Sequence, residues 1–514
     1  MNEVPPDWVS FHAARDPRAL ALQAIESGET MGWGELEARV ASVSGMLAGT
    51  FGIAAGDRVC VIAENDFRVF EVMFACMRIG AIFVPLNWRL TPTELAVMVA
   101  DAEPRILFHD AAWAEVAGVL AHGADHPVAL VGWGGGAYEH ESARARPLSP
   151  CGGIGLDTVT HILYTSGTTG VPKGALVTHR TLLGQMQNTY ADCMLGLPAA
   201  KYLDPMPLFH AGGLTTLCAP MLGSGGAVAF AQRFDPELCL RWLSDPASGV
   251  THFNGSPIFF EQIAACAGFG TRDLGHVRHA HVAGATIVED LIRRWAGAGL
   301  LVQQFYGGTE MGPSAMAIPL GRVLDKPGSC GRPLMMTRAR LVDANLAEVE
   351  PGREGEILLS GPAITPGYWR REASASDFVD GWFRTGDVAR TDEDGFFYVV
   401  DRVKDVYKSG GESVFPAEIE RALLELPAVA EVAVVGVPDP RWGEVGCAVV
   451  VPRAGHMPAL EDLNRHLAGR FARYKLPKAI EIAEALPRNA LGKTDKKILR
   501  RRWQERRQVA SAES

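Results

Sequence analysis

Short apolar runs recur along the first third of the chain, and each is followed by a stretch with helical spacing. Arg58-Val59-Cys60-Val61-Ile62-Ala63 is a β-rich run. Asn65-Asp66 then offers an N-cap, Phe70, Met73, Phe74 and Met77 recur at helical spacing, and Gly80 marks the stop. Residues 81–85 read as the next strand, with further β runs at 106–109 and 128–131. Strands alternating with helices predict a parallel sheet covered on both faces. Residues 132–155, rich in Gly, Pro, Ser and charge, read as a surface linker, and 159–164 as another strand. Alternation continues to about Gly307. From Gly328 to Val400 the pattern changes to short β runs between turn residues, such as Gly355-Glu356-Ile357-Leu358-Leu359, which predicts a small barrel or antiparallel sheet. The last unit opens near Asp401. Pro416 suits a first helical position, Glu418 and Glu420 suit the positive end of that helix, and 429–437 is a strong strand run. The fold class expected is α/β: a large N-terminal domain over 1–400 with doubly wound sheets and a small β-barrel, then a smaller α+β C-terminal domain over 401–514.

With 514 residues the chain exceeds what one core serves, which supports that division. The net charge of −10 argues against a nucleic-acid partner, although a local group of donors can still bind phosphate. The nine cysteines are scattered, with no C-x-x-C pair, so reduced thiols and a cytoplasmic location are expected, and no Cys/His metal site assembles from local spacing. The proline-broken N-terminus has no signal-peptide pattern, and no apolar run approaches the roughly 18–20 residues of a transmembrane helix. The C-terminal Ser511-Ala512-Glu513-Ser514 has no lipidation or peroxisomal signal.

The densest chemistry lies at Tyr164-Thr165-Ser166-Gly167-Thr168-Thr169-Gly170-Val171-Pro172-Lys173-Gly174, after a predicted strand. Its glycines let backbone approach a ligand closely, its hydroxyls and N–H groups can ring an anion, and Lys173 adds positive charge. It is not a Walker A loop, because Gly174 follows Lys173 where Ser or Thr would be needed. A generic Gly/Thr loop is more often a plain turn. This one resembles, over ten consecutive positions, the signature of the adenylate-forming superfamily: acyl-CoA synthetases, peptide-synthetase adenylation domains and beetle luciferases. The resemblance runs over nearly the whole chain through further ordered motifs.

Pro207-Leu208-Phe209-His210-Ala211-Gly212-Gly213 alone would fit a core histidine beside a glycine turn. In this order it is similar to the family motif whose histidine borders the acyl pocket. Peptide-synthetase domains hold a substrate amine with an aspartate hereabouts, and no such carboxylate follows His210, which disfavours an amino acid. In Gln304-Phe305-Tyr306-Gly307-Gly308-Thr309-Glu310-Met311 an aromatic ring beside glycines can stack on adenine, Thr309 can bond the α-phosphate, and Glu310 is a hard ligand suited to Mg²⁺. Gly284-Ala285-Thr286 fits the loop that lies along the adenine. Asp387, in Gly381-Trp382-Phe383-Arg384-Thr385-Gly386-Asp387, is the acceptor-only carboxylate that in relatives receives both ribose hydroxyls. The stretch 401–412 resembles the family's hinge. It implies that Arg402 reaches the ribose, that Lys404 is the pivot of a mobile C-terminal domain, and that Lys408, Ser409, Gly410 and Gly411 face nucleotide or pantetheine. Ser413 stands where relatives often have Asn or an aromatic residue, which leaves the thiol-path contact open. Lys493, after Gly492, is similar to the catalytic lysine near the family's C-terminus. The basic tail from Lys496 to Arg507 reads as a solvated helix face.

The resemblance implies an AMP-forming acyl-CoA synthetase using ATP, Mg²⁺ and coenzyme A, and it is compatible with a homodimer. Lys493, His210 and Glu310 carry the catalytic roles. Thr165, Ser166, Gly167, Thr168, Thr169 and Lys173 hold phosphates. Gly284, Ala285, Thr286, Gln304, Tyr306, Gly307, Thr309, Asp387 and Arg402 hold the rest of the nucleotide, and Thr165 and Glu310 the metal. His210, Gly212, Gly213, Thr216, Asn254, Gly308 and Met311 form an apolar, small-residue acyl pocket suited to a ring or a medium chain. Residues 250–255 look most like bacterial hydroxycinnamate ligases. The alternatives are a long-chain fatty acyl-CoA ligase, an acyl-AMP ligase with another acceptor, and a non-catalytic nucleotide-binding homologue.

Overall fold

Asp66 starts the helix Phe67–Ile79 by accepting the Arg68 N–H at 2.8 Å, and Gly80 ends it in the left-handed region at φ +72°. That cap-to-cap unit joins two parallel strands, Arg58–Ile62 and Ile82–Pro85, in register Val59↔Phe83 and Val61↔Pro85. The computed structural model describes residues 7–512 except 151, 166–171, 194–198, 285–286, 344, 373, 375–376, 403–406, 415, 488–493 and 495. Among the described residues the strand pair belongs to a six-stranded sheet in the order Ala129–Gly132, Ile106–His109, Arg58–Ile62, Ile82–Pro85, Val159–Thr165, Lys173–Thr178. Val59, Phe83, Ile106 and Phe108 have no exposure, as a sheet covered on both faces requires.

The stretch 132–155 is not a bare linker. It carries the helix Ala137–Arg144, whose Tyr138 is fully buried and donates its hydroxyl to Glu71 at 2.7 Å. Arg39 clamps the same carboxylate with two bonds of 2.9 Å and also reaches Glu139. Polar composition concealed this helix because one aromatic residue and one ion-pair network, not a periodic apolar face, hold it.

Among the described residues a second sheet has nine strands, ordered Arg332–Pro333, Gly312–Ala317, Val302–Gly308, His279–Val282, His252–Gly255, Lys201–Asp204, Ala227–Phe230, Leu20–Ala24, Thr30–Gly32. Its six central strands, from Val302–Gly308 to Leu20–Ala24, run parallel, and antiparallel strands close both ends. An antiparallel sheet follows from Arg338–Val342, Gly355–Ser360, Trp382–Thr391, Phe378–Val379 and Phe397–Arg402.

The chain divides into two compact units. The larger comprises Met1–Trp88, Met98–Tyr164 and Gly174–Asp401; the smaller comprises Arg402–Ser514 with Arg89–Val97 and Thr165–Lys173. The smaller unit is α+β. Its strands Val429–Asp439 and Gly443–Pro452 form a long antiparallel pair beside the helices Pro416–Leu423 and Leu460–Leu467. Its buried Lys475 bonds Glu94 at 2.7 Å and Glu418 at 3.1 Å, so that the cation meets two carboxylates. No helix among the described residues is long and apolar enough to cross a membrane.

Candidate active site

In an open parallel sheet the loops leaving the carboxyl ends of the strands converge on one edge, and ligands bind there. The larger unit brings most of its candidate residues to that edge of the nine-stranded sheet. His210 follows Lys201–Asp204, Asn254 lies near the end of His252–Gly255, Gly284 follows His279–Val282, and Thr309 and Glu310 follow Val302–Gly308. Four motifs far apart in the chain thus meet through strand order alone.

Tyr306 and Asp387, both expected at the nucleotide, are joined directly. The Tyr306 hydroxyl donates to Asp387 Oδ2 at 2.8 Å, joining the nine-stranded sheet to the antiparallel one. Burial, and then the Asp387 charge, hold the phenol well above its ordinary range, so it stays a donor. Asp387 is 3% exposed, and its own N–H donates to Thr385 Oγ1 at 3.0 Å. Gln304 fixes the neighbouring loop: its Oε1 accepts the Ile287 N–H at 3.0 Å, and its Nε2 donates to the Phe305 carbonyl at 2.8 Å. Gly284 begins that loop at φ +89°.

Glu310 is the middle residue of a three-residue hairpin, Thr309 to Met311, between Val302–Gly308 and Gly312–Ala317. Gly312 supplies the positive φ, +73°, that such a turn needs. Gly307 has no room for a side chain, since a Cβ there would lie 2.3 Å from the Gly312 carbonyl oxygen. Two residues that the motif reading did not single out fix the turn. The Thr365 N–H donates to the Glu310 carbonyl at 2.8 Å, and the Tyr368 hydroxyl reaches Glu310 Oε1 at 3.4 Å. Tyr368 lies 58 positions downstream, outside every motif, so no local signal marked it. Burial and the Glu310 charge push its phenol up, which keeps it protonated. The Glu310 carboxylate offers hard oxygens of the kind Mg²⁺ prefers.

The residues expected at the acyl pocket form a second group on the same unit. Asn254 Nδ2 donates to the Gly212 carbonyl at 3.1 Å, and Thr216 Oγ1 donates to the Ala211 carbonyl at 3.0 Å. A Cβ on Gly213 would meet the Pro207 carbonyl oxygen at 2.4 Å, and one on Gly308 would meet the Met311 methyl at 3.1 Å. The His210 ring lies against Phe209, centroids 4.6 Å apart.

In the smaller unit Thr165 ends one strand and Lys173 begins the next, with the Thr165 hydroxyl 3.4 Å from the Lys173 carbonyl. Ser409 ends Tyr407–Ser409, and Gly410 and Gly411, at φ +60° and +85°, make the tight turn into Glu412–Val414. The Lys408 N–H donates to Glu444 at 3.0 Å. Ser166, Gly167, Thr168, Thr169, Ala285, Thr286, Lys404 and Lys493 lie outside the described residues, as does the side chain of Arg402.

Comparison with known proteins points the same way. Residues 9–369 match the family model of AMP-binding enzymes, and 418–493 match the AMP-binding enzyme C-terminal domain. The chain is 40% identical over 503 residues to a feruloyl-CoA synthase of Amycolatopsis sp, covering 98% of this chain and 99% of that one. It is 36% identical over 506 residues to an indoleacetate–CoA ligase of Aromatoleum aromaticum, covering 96% and 97%. Among solved structures, an o-succinylbenzoate CoA synthetase from Bacillus subtilis, bound to a product analogue, superposes with a TM-score of 0.85 at 27% identity, covering 96% of this chain and 98% of that one.

Proposed function

The chain belongs to the AMP-binding enzyme family and is an AMP-forming acyl-CoA ligase, and we propose that its acid is an aryl-substituted carboxylate of the hydroxycinnamate class. The observation that carries the substrate reading is the full-length similarity to a feruloyl-CoA synthase.

A carboxylate is a poor electrophile, since its charge repels nucleophiles and oxide does not leave. In the first half-reaction a carboxylate oxygen bonds the α-phosphorus of ATP, the bond to pyrophosphate breaks, and an acyl adenylate forms. In the second the CoA thiolate bonds the acyl carbon and AMP departs. The protein's part is positioning and charge neutralisation. Asp387, held by Tyr306, accepts the ribose hydroxyls, while Gly284, Ala285, Thr286, Gln304 and Gly307 border the adenine. Thr309 bonds the α-phosphate. Thr165, Ser166, Thr168, Thr169 and Lys173 hold the departing phosphates. Glu310, steadied by Tyr368, is our Mg²⁺ ligand, with the Thr165 hydroxyl assigned beside it. The ion would supply screening of the phosphate charge. Lys493 neutralises charge on the attacking carboxylate and the phosphate oxygens. His210 borders the reacting carboxyl, and Lys408 to Gly411 serve the thiol path.

Pyrophosphate release tests the reading, measured with ferulate, cinnamate, benzoate, octanoate and palmitate, then CoA thioester by mass spectrometry. Turnover of ferulate and cinnamate well above the aliphatic acids is expected. Preference for palmitate would overturn the substrate class and leave the adenylation chemistry standing.

A further inference from the structure

We propose that Cys193, His279 and His281 form a buried site for a single thiophilic d10 cation, with Zn²⁺ as the probe. His279 and His281 sit two apart on the strand His279–Val282, so their side chains leave the same face of the nine-stranded sheet. Cys193 is the last residue of the helix His179–Cys193. One ligand atom from each of the three lies within 4.8 Å of the others, and all three residues are buried. Zinc bonded to one sulfur and two imidazole nitrogens sets its ligand atoms roughly 3.4–3.6 Å apart, so closing the site asks for about 1 Å of side-chain movement.

The second, independent observation is unmet hydrogen bonding. His279 Nε2 and both ring nitrogens of His281 are buried without a partner, although exposure is 1% and 0%. Buried polar atoms are nearly always bonded, and an imidazole nitrogen left alone in a core is the arrangement a metal would relieve. Burial also drives both rings far below their ordinary range, His281 to about 3, so they are neutral and their lone pairs need no deprotonation. Only the Cys193 S–H must break: its proton passes to solvent as the sulfur–metal bond forms.

The surroundings suit a cation. His252 is not a ligand, because Nε2 meets the Cys193 carbonyl at 2.8 Å and Nδ1 meets Thr251 Oγ1 at 2.7 Å. It holds the Cys193 backbone instead. Gln303, paired in register with His281, donates Nε2 to Asp192 at 2.5 Å and keeps a buried, partnerless Oε1, an oxygen available as a fourth donor. The Cys193 thiolate and the Asp192 carboxylate would together balance a divalent charge. None of these residues enters the ligase mechanism, so the site is structural: three elements clamped behind the acyl and adenine loops.

The full chain is loaded with Zn²⁺, desalted over a weak chelator, and its metal counted by mass spectrometry, with a parallel Co²⁺ sample read by absorption. A single retained ion per chain and a thiolate-to-cobalt charge-transfer band are expected. Cys193→Ser and His281→Phe should each lower retention at least tenfold, while the exposed-site control His456→Ala retains the ion. Wild-type protein that keeps no zinc, or the two site variants keeping as much as wild type, overturns the proposal. If the variants fail to fold, the wild-type cobalt spectrum decides it: a spectrum without the thiolate band rules the site out.

Discussion

Tyr306 and Asp387 lie 81 positions apart, and one 2.8 Å hydrogen bond makes them a unit. Under the ribose role proposed for Asp387, the phenol orients the carboxylate that accepts the diol. Tyr306→Phe keeps the ring for stacking and removes only the donor. A hydrogen bond to a charged group contributes about 1.5–3 kcal/mol, so the KM for ATP should rise roughly tenfold or more with the KM for the acid unchanged. Steady-state pyrophosphate assays over both substrates check this, and an unchanged ATP KM would remove Tyr306 from the ribose site. At this scale legibility divided by motif. Asp387, Glu310 and Tyr306 each stood in a named run of sequence. Tyr368, and the grouping of Cys193 with His279 and His281, had no local signal, because strand order and a helix end bring them together. The H-x-H alternation at 279–281 is the one trace on the chain, and alternation alone equally marks a strand.

At the scale of elements, periodicity succeeded wherever an apolar face does the holding. The strands Arg58–Ile62, Ile82–Pro85 and Ile106–His109, the Asp66 and Gly80 caps and the helix beginning at Pro416 all follow from spacing and cap chemistry. It missed Ala137–Arg144, whose anchor is Tyr138 on Glu71, a carboxylate with 2% exposure. Tyr138→Phe leaves Glu71 to Arg39 alone. Removing a hydrogen bond to a buried charge should lower stability by about 1.5 kcal/mol, with ring packing preserved. The midpoint of urea unfolding measures it; a shift within error would mean that Arg39 satisfies the carboxylate unaided.

At the scale of the whole molecule, adenylation and thioester formation ask for different groups at the same acyl carbon: a cation on the carboxylate first, a thiol afterwards. A lysine serving only the first step should show it when the steps are assayed apart. Lys493→Ala is expected to slow pyrophosphate release by about 10²–10³, the effect of deleting one electrostatic group, while supplied acyl adenylate still reacts with CoA at close to the wild-type rate. Equal loss of both steps would make Lys493 a structural residue. The complementary variant acts on the backbone. If Lys404 is the pivot between the two steps, its φ must change, and proline fixes φ near −65°. Lys404→Pro should therefore spare pyrophosphate release and suppress thioester formation even from supplied acyl adenylate. Normal thioester formation in that variant would remove the pivot from Lys404 while leaving the role of Lys493 untouched, so the pair of variants separates the chemistry of the lysine from the motion assigned to the hinge.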